Sequence, residues 1–177
     1  MQKSKVAILM GSASDKLVMQ KAWEALEELG VEYEVVVTSA HRSPKRTIRY
    51  IESLKKKNIK VIIAGAGGAA HLAGIVSAHT TLPVIGVPVA STPLQGLDSL
   101  LSTVQMPPGV PVATMGIGES GARNAGIFAG QILALSDTVL QKKLIEFRKK
   151  QEKNVEKMHK EVSNFVIRSK KEKNIKE

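Results

Sequence analysis

The amino-acid sequence predicts a three-layer α/β domain in which a doubly wound parallel sheet lies between helices. Short apolar runs, rich in β-branched residues, alternate with longer segments in which apolar residues recur at helical spacing, and this alternation is typical of a parallel sheet with crossover helices. The run at residues 61–64 marks the centre of the sheet. Asp, Glu, Lys and Arg are all absent from Val61 to Leu97, and a strand buried on both faces requires such a run.

Five strands are predicted, each a short apolar run that ends in glycine, proline or a polar loop: residues 6–10, 33–38, 61–64, 84–87 and 112–117. Gly11 ends the first strand, and Pro83 and Pro88 bracket the fourth. Right-handed crossovers between parallel strands are consistent with the order 2-1-3-4-5. We therefore expect a flavodoxin-like sheet in which the first and third strands are neighbours.

Five helices are predicted to connect and cover these strands: residues 16–29, 44–57, 71–79, 94–104 and 124–135. Gly30 stops the first helix, and Ser43 with Pro44 supplies the N-cap and first residue of the second. The third helix is apolar nearly all round, so it must be buried on more than one side. In a domain this small, we expect a subunit interface to provide part of that burial.

From Ser136 onward the pattern changes to a long amphipathic helix. Its apolar stripe recurs at helical spacing among charged residues, interrupted at Gln151, and consists of Leu140, Leu144, Phe147, Val155, Met158, Val162 and Phe165. We expect this helix to pack on the domain or on another subunit. The predicted organisation is a single α/β domain at residues 1–135, followed by the helix and a basic tail at residues 136–177.

The formal net charge of +10 is concentrated near the carboxyl terminus, where residues 142–177 hold 13 Lys and Arg against 6 Asp and Glu. Lysine and glutamate interleave there as on a solvated helix face. The whole chain has only 1 Trp, 2 Tyr and 3 Phe, too few for a platform that stacks bases. We therefore expect no nucleic-acid partner.

Composition also bears on covalent chemistry and location. Cysteine is absent, which excludes disulfides, thiolate zinc sites and a cysteine nucleophile and fits a reducing compartment. The amino terminus lacks the apolar core of a signal peptide. The uncharged stretch is broken by prolines and glycines and never reaches about 18 strongly apolar residues. We expect a cytoplasmic protein without a membrane-spanning segment.

Three loops follow the first three strands and should converge at the carboxyl edge of the sheet, where open α/β sheets bind ligands. They span residues 11–15, 39–42 and 65–71. The candidate substrate-binding residues in and beside them are Ser12, Ser14, Asp15, Ser39, Ala40, Arg42, Gly65, Ala66, Gly67, Gly68 and Leu72.

Two motifs in these loops can hold an anion or move a proton. The segment from Ser12 to Asp15 opens a helix, where N–H groups and hydroxyls suit a phosphate and the carboxylate suits ribose hydroxyls. The same residues have the spacing of a capping box, and both interpretations remain open. Arg42 can bind phosphate with two parallel hydrogen bonds, and His41 can transfer a proton near neutral pH.

The glycine-rich loop matches the dinucleotide-binding pattern only loosely, as GxGxxA at residues 65–70. A dinucleotide site needs an acidic residue about 20 positions later, and none occurs between Glu52 and Asp98. His71 is either a site residue or a cap of the following helix. No set of His, Asp and Glu has the spacing of metal ligands, so we expect neither a cofactor nor a metal.

Four motifs, in this order along residues 5 to 150, resemble the PurE family of purine biosynthesis: MGSASD, SAHRSP, AGAGGAAHL and GLDSLLSTVQMP. The segment that contains His71 is similar to class I of that family, the 5-(carboxyamino)imidazole ribonucleotide mutases. Class II relatives, which carboxylate aminoimidazole ribonucleotide with CO2, differ in this segment and lack that histidine. Ala73 departs from the family pattern, in which many relatives carry proline.

The resemblance implies roles for individual residues. Ser12, Asp15 and Arg42 would hold the ribose and phosphate of a ribonucleotide, and His41 would be the catalytic acid and base. We group His71 with His41 as a second candidate catalytic residue. The resemblance also implies a homo-octamer in which a loop of one subunit reaches a neighbouring site; that loop consists of Gln105, Met106 and Pro107.

Two alternatives remain at the level of the sequence. One is direct carboxylation of aminoimidazole ribonucleotide, which shares the fold and the product and differs only in substrate. The other is a non-catalytic module that binds a flavin or a nucleotide.

Overall fold

The computed structural model describes residues 5–174, with side chains to residue 168. Its strands are β1 (Val6–Met10), β2 (Tyr33–Val37), β3 (Val61–Gly67), β4 (Val84–Val89) and β5 (Ala113–Thr114). Its α-helices are α1 (Lys16–Leu29), α2 (Pro44–Ser53), α3 (Leu72–Ala78), α4 (Leu97–Val104), α5 (Gly118–Ala134) and α6 (Thr138–Asn174). Short 3-10 turns, Ala13–Asp15 and Leu54–Lys56, precede α1 and follow α2.

The five strands form one parallel sheet in the order β2-β1-β3-β4-β5, so the predicted topology is confirmed. β1 and β3 are neighbours in register from Val6 with Val61 to Met10 with Gly65. The chain reverses its direction of winding between these two strands. The carboxyl ends of β1 and β3 therefore flank the switch point at which ligands bind in such sheets.

Each face of the sheet carries its own apolar core. Val6, Ile8 and Met10 of β1 face the layer that contains α1 and α5, whereas Ala7 and Leu9 face the layer that contains α2 and α3. This alternation follows from the two-residue period of a strand. Full burial of each large aliphatic side chain contributes roughly 1.5–3 kcal/mol, so the two cores fix the sheet that positions the loops.

The two central strands are longer than predicted. β3 does not stop at residue 64 but includes the first three residues of the glycine-rich segment, which pair with β4 as far as Val89. A Cβ on Gly65 would overlap the Met19 side chain, so glycine allows α1 to pack on this part of the strand. β4 continues through Pro88. Gly86 accepts a hydrogen bond from Met115 on the β5 side, and Pro88 faces that same side beyond the end of β5, where no N–H is needed.

The predicted bounds also change around β5. β5 has two residues instead of six, and α5 begins at Gly118 instead of residue 124. The helix starts early because Gly121 packs directly on the backbone of Gly116, where any Cβ would overlap the carbonyl oxygen. α4 begins at Leu97 rather than residue 94, since Gln95 and Gly96 both have positive φ angles, of 51° and 89°.

The long carboxyl-terminal helix is present as predicted, and its apolar stripe divides into two parts. Leu140 is buried, and Leu144 and Phe147 pack partly buried against the core that α1 and α5 help to form. The later apolar residues of the stripe, from Val155 to Phe165, are exposed. Residues 1–4 and 175–177, which belong to the predicted terminal segments, lie outside the described residues. Between residues 5 and 174, none of the helices combines the length and apolar content that a bilayer crossing requires.

Candidate functional site

A cavity of about 270 Å³ opens at the carboxyl edge of the sheet, where the loops after β1, β2 and β3 meet. It is lined by Gly11, Ser12, Ser14, Asp15, Ser39, Ala40, His41, Arg42, Ala66, Gly67, Ala69, His71, Leu72 and Ser91. A larger cleft of about 570 Å³ has an apolar and lysine-rich lining at the opposite edge. None of the three candidate loops contributes to that cleft, so we place the candidate site in the smaller cavity.

The loop after β1 forms the predicted capping box. The Ser12 hydroxyl accepts a hydrogen bond from the Ser14 amide at 3.3 Å, and the Asp15 carboxylate accepts one from the Ser12 amide at 3.0 Å. Burial raises the pKa of Asp15, while these local hydrogen bonds and the nearby charge of Arg42 partly offset the rise. The capping interpretation therefore describes the local hydrogen bonds, yet the same residues line the cavity and remain candidates for binding.

Arg42 connects the first two loops. Its Nη2 donates to the Gly11 carbonyl oxygen at 3.0 Å, and its backbone amide donates to the Ser39 hydroxyl at 3.1 Å. Ser39 is itself held to the start of α2, because its backbone carbonyl accepts a hydrogen bond from the Ser43 hydroxyl. The exposed guanidinium thus stands at the cavity edge in a fixed position, with donors available for an anionic group.

The two histidines of the site contact each other. His41 Nε2 and His71 Nδ1 are 2.8 Å apart, and the rings meet edge to face at 84°. His71 occupies the N-cap position of α3, but its side chain makes no capping hydrogen bond. The sequence left two interpretations of His71 open, and its side chain here contacts His41 instead of capping the helix. The contact needs one N–H and one lone pair, so the pair cannot keep it with both rings doubly protonated.

Most of the candidate residues meet at this cavity, and a few lie elsewhere. Gly65 is inside β3, covered by Met19, and Gly68 lies beside Thr92 with a positive φ of 63°. Met106 of the 105–107 loop packs near Gly74 of α3 in the same chain. The proposed roles of all these residues stay predictions. Within the described residues, no group of three or more His, Cys, Asp and Glu could hold a metal ion.

Three lining residues were absent from the sequence-based candidates: Gly11, Ala69 and Ser91. Ser91 is the informative one, since it follows β4 and brings a fourth loop to the cavity. The rule that placed the other loops at the carboxyl edge would also have placed this one there. The Ser-Thr-Pro sequence after β4 instead had the composition of an ordinary turn.

The sequence match to known proteins covers this whole site. A family model described as AIR carboxylase matches residues 5–154. The chain belongs to the AIR carboxylase family. A Bacillus subtilis (strain 168) relative named N5-carboxyaminoimidazole ribonucleotide mutase is 57% identical over 150 residues, which cover 85% of this chain and 93% of the relative. A Pyrococcus abyssi relative of the same name is 54% identical over 144 residues, 81% of this chain and 82% of the relative.

The fold also matches a protein of known structure. A crystal structure of Treponema denticola PurE aligns with a TM-score of 0.79 at 24% identity, over 88% of this chain and 96% of that one. At this identity the likeness concerns the fold alone. The family match ends at residue 154, within α6, and the exposed end of that helix lies outside it.

Proposed function

We propose that this protein is an N5-carboxyaminoimidazole ribonucleotide mutase. It converts 5-(carboxyamino)-1-(5-phosphoribosyl)imidazole to 5-amino-1-(5-phosphoribosyl)imidazole-4-carboxylate, a step of purine biosynthesis. The observation that carries the proposal is the 51–57% identity to relatives of this name in Bacillus subtilis and Thermotoga maritima. The family match spans every residue that lines the cavity. A cytoplasmic location is part of the proposal.

The cavity offers a separate place for each polar part of the substrate. Arg42 and the hydroxyls of Ser12 and Ser14 suit the phosphate, because a guanidinium and helix-opening N–H groups bind phosphate oxygens well. Asp15 suits the ribose hydroxyls, to which a carboxylate can accept hydrogen bonds. The imidazole then extends toward His41 and the glycine-rich segment.

The reaction moves one proton as well as one carboxylate. Breaking the bond between the exocyclic nitrogen and the carboxylate releases CO2 and requires a proton on that nitrogen. Forming the new bond between CO2 and C4 releases the ring proton from C4. His41 can give the first proton and take the second, so the enzyme ends each cycle as it began.

The reactants must also stay together between the two steps. CO2 is small and would escape from an open site, so the cavity has to confine it beside the ring. Holding both reactants in place can contribute roughly 7–11 kcal/mol to lowering the barrier. The small residues Ala66, Gly67 and Ala69 leave room for CO2 next to backbone groups. Backbone N–H groups there can stabilise the carboxylate charge of substrate and product.

We further propose that the protein acts as a homo-octamer. Helix α4 exposes Leu97, Leu101 and Val104 at helical spacing, with 53%, 47% and 49% of their surfaces accessible. A contiguous apolar stripe of this kind is typical of a protein interface. The loop of Gln105, Met106 and Pro107 follows α4 directly, so an interface over α4 includes it. This is the loop that we expect to reach a neighbouring site.

The alternative that the sequence leaves open is direct carboxylation of aminoimidazole ribonucleotide by CO2, which shares the fold and the product. Purified protein should be given 5-(carboxyamino)imidazole ribonucleotide without bicarbonate and, separately, aminoimidazole ribonucleotide with excess bicarbonate. Rapid conversion of the first alone supports the mutase. Efficient use of the second at modest CO2 supports the carboxylase, and turnover of neither contradicts both.

A further inference from the structure

Ser91 brings an unassigned hydroxyl to the candidate site. It is the only lining residue that follows β4, and its side chain is exposed to the cavity. Among residues 5–168, its hydroxyl makes no hydrogen bond to another protein group. The neighbouring hydroxyl of Thr92 behaves differently, since it donates to Asp98 at 2.7 Å. Ser91 is therefore free to bind a ligand, whereas Thr92 holds its own turn.

Gly67 allows this hydroxyl to reach the end of β3. A Cβ at position 67 would overlap both Oγ and Cβ of Ser91, so the serine side chain fills the place that any larger residue would occupy. Gly67 and Ser91 both line the cavity. The contact places the hydroxyl against the backbone of the glycine-rich segment, where it stays accessible from the cavity.

Backbone donors lie beside this hydroxyl. In the described chain, the amides of Ala69 and Ala70 donate no hydrogen bond to another protein group. Amides and a hydroxyl together form a neutral set of donors, which suits a small carboxylate without needing a fixed positive charge. A second anionic group of the substrate can therefore be recognised here.

The sheet separates this set of donors from Arg42. Arg42 follows β2 and Ser91 follows β4, and β1 and β3 lie between those strands. Both side chains reach inward from these strands, since the Arg42 guanidinium donates to the Gly11 carbonyl oxygen after β1 and the Ser91 hydroxyl lies against Gly67 at the end of β3. A ribonucleotide with its phosphate at Arg42 extends its ring toward Ser91, and the reacting carboxylate is attached to that ring.

We propose that Ser91 Oγ donates a hydrogen bond to the carboxylate that the reaction transfers, and that Gly67 is required for its approach. The inference rests on the mutase function proposed above. Ser91 keeps its proton throughout and takes no part in bond cleavage. It binds the carboxylate on nitrogen in the substrate and on C4 in the product, and so discourages escape of CO2 between them.

The test compares two ligands that differ only by the carboxylate. Binding of 5-amino-1-(5-phosphoribosyl)imidazole-4-carboxylate and of aminoimidazole ribonucleotide should be measured by calorimetry on wild type and Ser91→Ala. We expect the Kd of the carboxylated ligand to rise about tenfold, as for loss of a hydrogen bond to a charged group. The Kd of the ligand without the carboxylate should change less than about twofold.

Two further variants sharpen the comparison. Ser91→Thr keeps the hydroxyl, so the Kd of the carboxylated ligand should return close to its wild-type value. Ser53→Ala removes a hydroxyl that donates to the Tyr50 carbonyl oxygen within α2, away from the cavity, and should leave both affinities unchanged. During turnover, Ser91→Ala should also release a larger fraction of aminoimidazole ribonucleotide than wild type.

The outcomes separate this inference from the proposed function. If wild type turns over the mutase substrate but Ser91→Ala weakens both ligands equally, or neither, the assignment of Ser91 is overturned. If wild type binds neither ribonucleotide, the proposed function is wrong and the assignment of Ser91 is overturned with it.

Discussion

His41 and His71 are 30 positions apart in the chain and meet through their ring nitrogens at the cavity. His41 lies in the loop after β2, and His71 lies in the loop after β3. Only β1 separates these two strands in the sheet, so the fold brings the two loops close enough for contact. A proton can be shared across such a contact only while one nitrogen carries a lone pair. In this pair, one ring can exchange a proton with the substrate while the other ring accepts or donates the hydrogen bond that joins the two.

Replacing His41 by Asn should abolish turnover with little effect on binding. The amide cannot exchange a proton with the substrate, and general acid and base catalysis contributes at least about 100-fold. Steady-state kinetics on the mutase substrate and calorimetry with the product would measure the two effects. A variant that keeps more than about one-tenth of wild-type turnover would show that His41 is not the acid and base.

Asp15 gives a prediction for pH dependence. Burial raises its pKa above the usual value of 3.8, and hydrogen bonds and Arg42 offset that rise in part. The protonated carboxyl therefore favours the folded state, and this contribution is complete below the unfolded pKa and is lost as the pH rises through the folded pKa. Asp15→Asn removes that titration while keeping an oxygen that can cap Ser12.

The free energy of unfolding of Asp15→Asn, relative to wild type, should increase as the pH rises from about 4 toward neutrality. Urea unfolding of both proteins at several pH values would measure the difference. A difference that stays constant, or that changes in the opposite direction, would contradict the assigned shift.

The secondary-structure elements show how close backbone packing changes what local sequence predicts. Glycines near residue 118 argue against a helix by propensity, yet α5 begins there because Gly121 lies against the Gly116 backbone. Pro88 argues against a central strand, yet β4 accommodates it where β5 has ended. In the first case, close packing on the Gly116 backbone offsets the low helix propensity of glycine. In the second, no strand pairs with β4 on that side at Pro88, so the missing N–H costs no hydrogen bond.

Gly121→Ala should destabilise the protein by about 1–3 kcal/mol, because the added methyl overlaps backbone that cannot move as a side chain would. Gly116→Ala is the matched control. A Cβ at position 116 meets nothing within 4 Å, so its effect should stay within about 0.5 kcal/mol. Chemical unfolding of both variants gives the comparison, and equal effects would show that the turn tolerates the methyl by shifting.

At the scale of the whole molecule, some apolar side chains are buried in the core and others remain exposed on the surface of the single chain. The first turns of α6 cover α1 and α5, whereas α4 presents leucines to solvent next to the 105–107 loop. The proposed octamer would cover that face.

Leu101→Glu should therefore disrupt assembly, because it places a charge in the centre of the exposed α4 stripe. Sedimentation velocity should show smaller species, and turnover should fall if residues 105–107 complete a neighbouring site. Leu135→Glu is the control, since Leu135 is 83% exposed at the end of α5 and lies outside that stripe. An unchanged sedimentation coefficient for Leu101→Glu would place any interface elsewhere.

Much of the candidate site could be predicted from sequence because its rule is topological. Apolar runs located β1, β2 and β3, and the switch-point rule brought the three following loops to one edge. Ser91 was missed because its segment has the composition of a turn, and Gly65 was selected although Met19 covers it. Composition identifies a loop but not what packs against it.

The sequence by itself determined the alternation of strands and helices, because hydrophobic periodicity is a local property. That alternation, with right-handed crossovers, was consistent with the strand order and predicted the edge at which the polar loops gather. Only the tertiary structure decided the contact of His41 with His71, the approach of Ser91 to Gly67 and the early start of α5. Each of these depends on which atoms of distant segments come within van der Waals or hydrogen-bond distance. That distance is set by packing of the whole domain and not by any window of the chain.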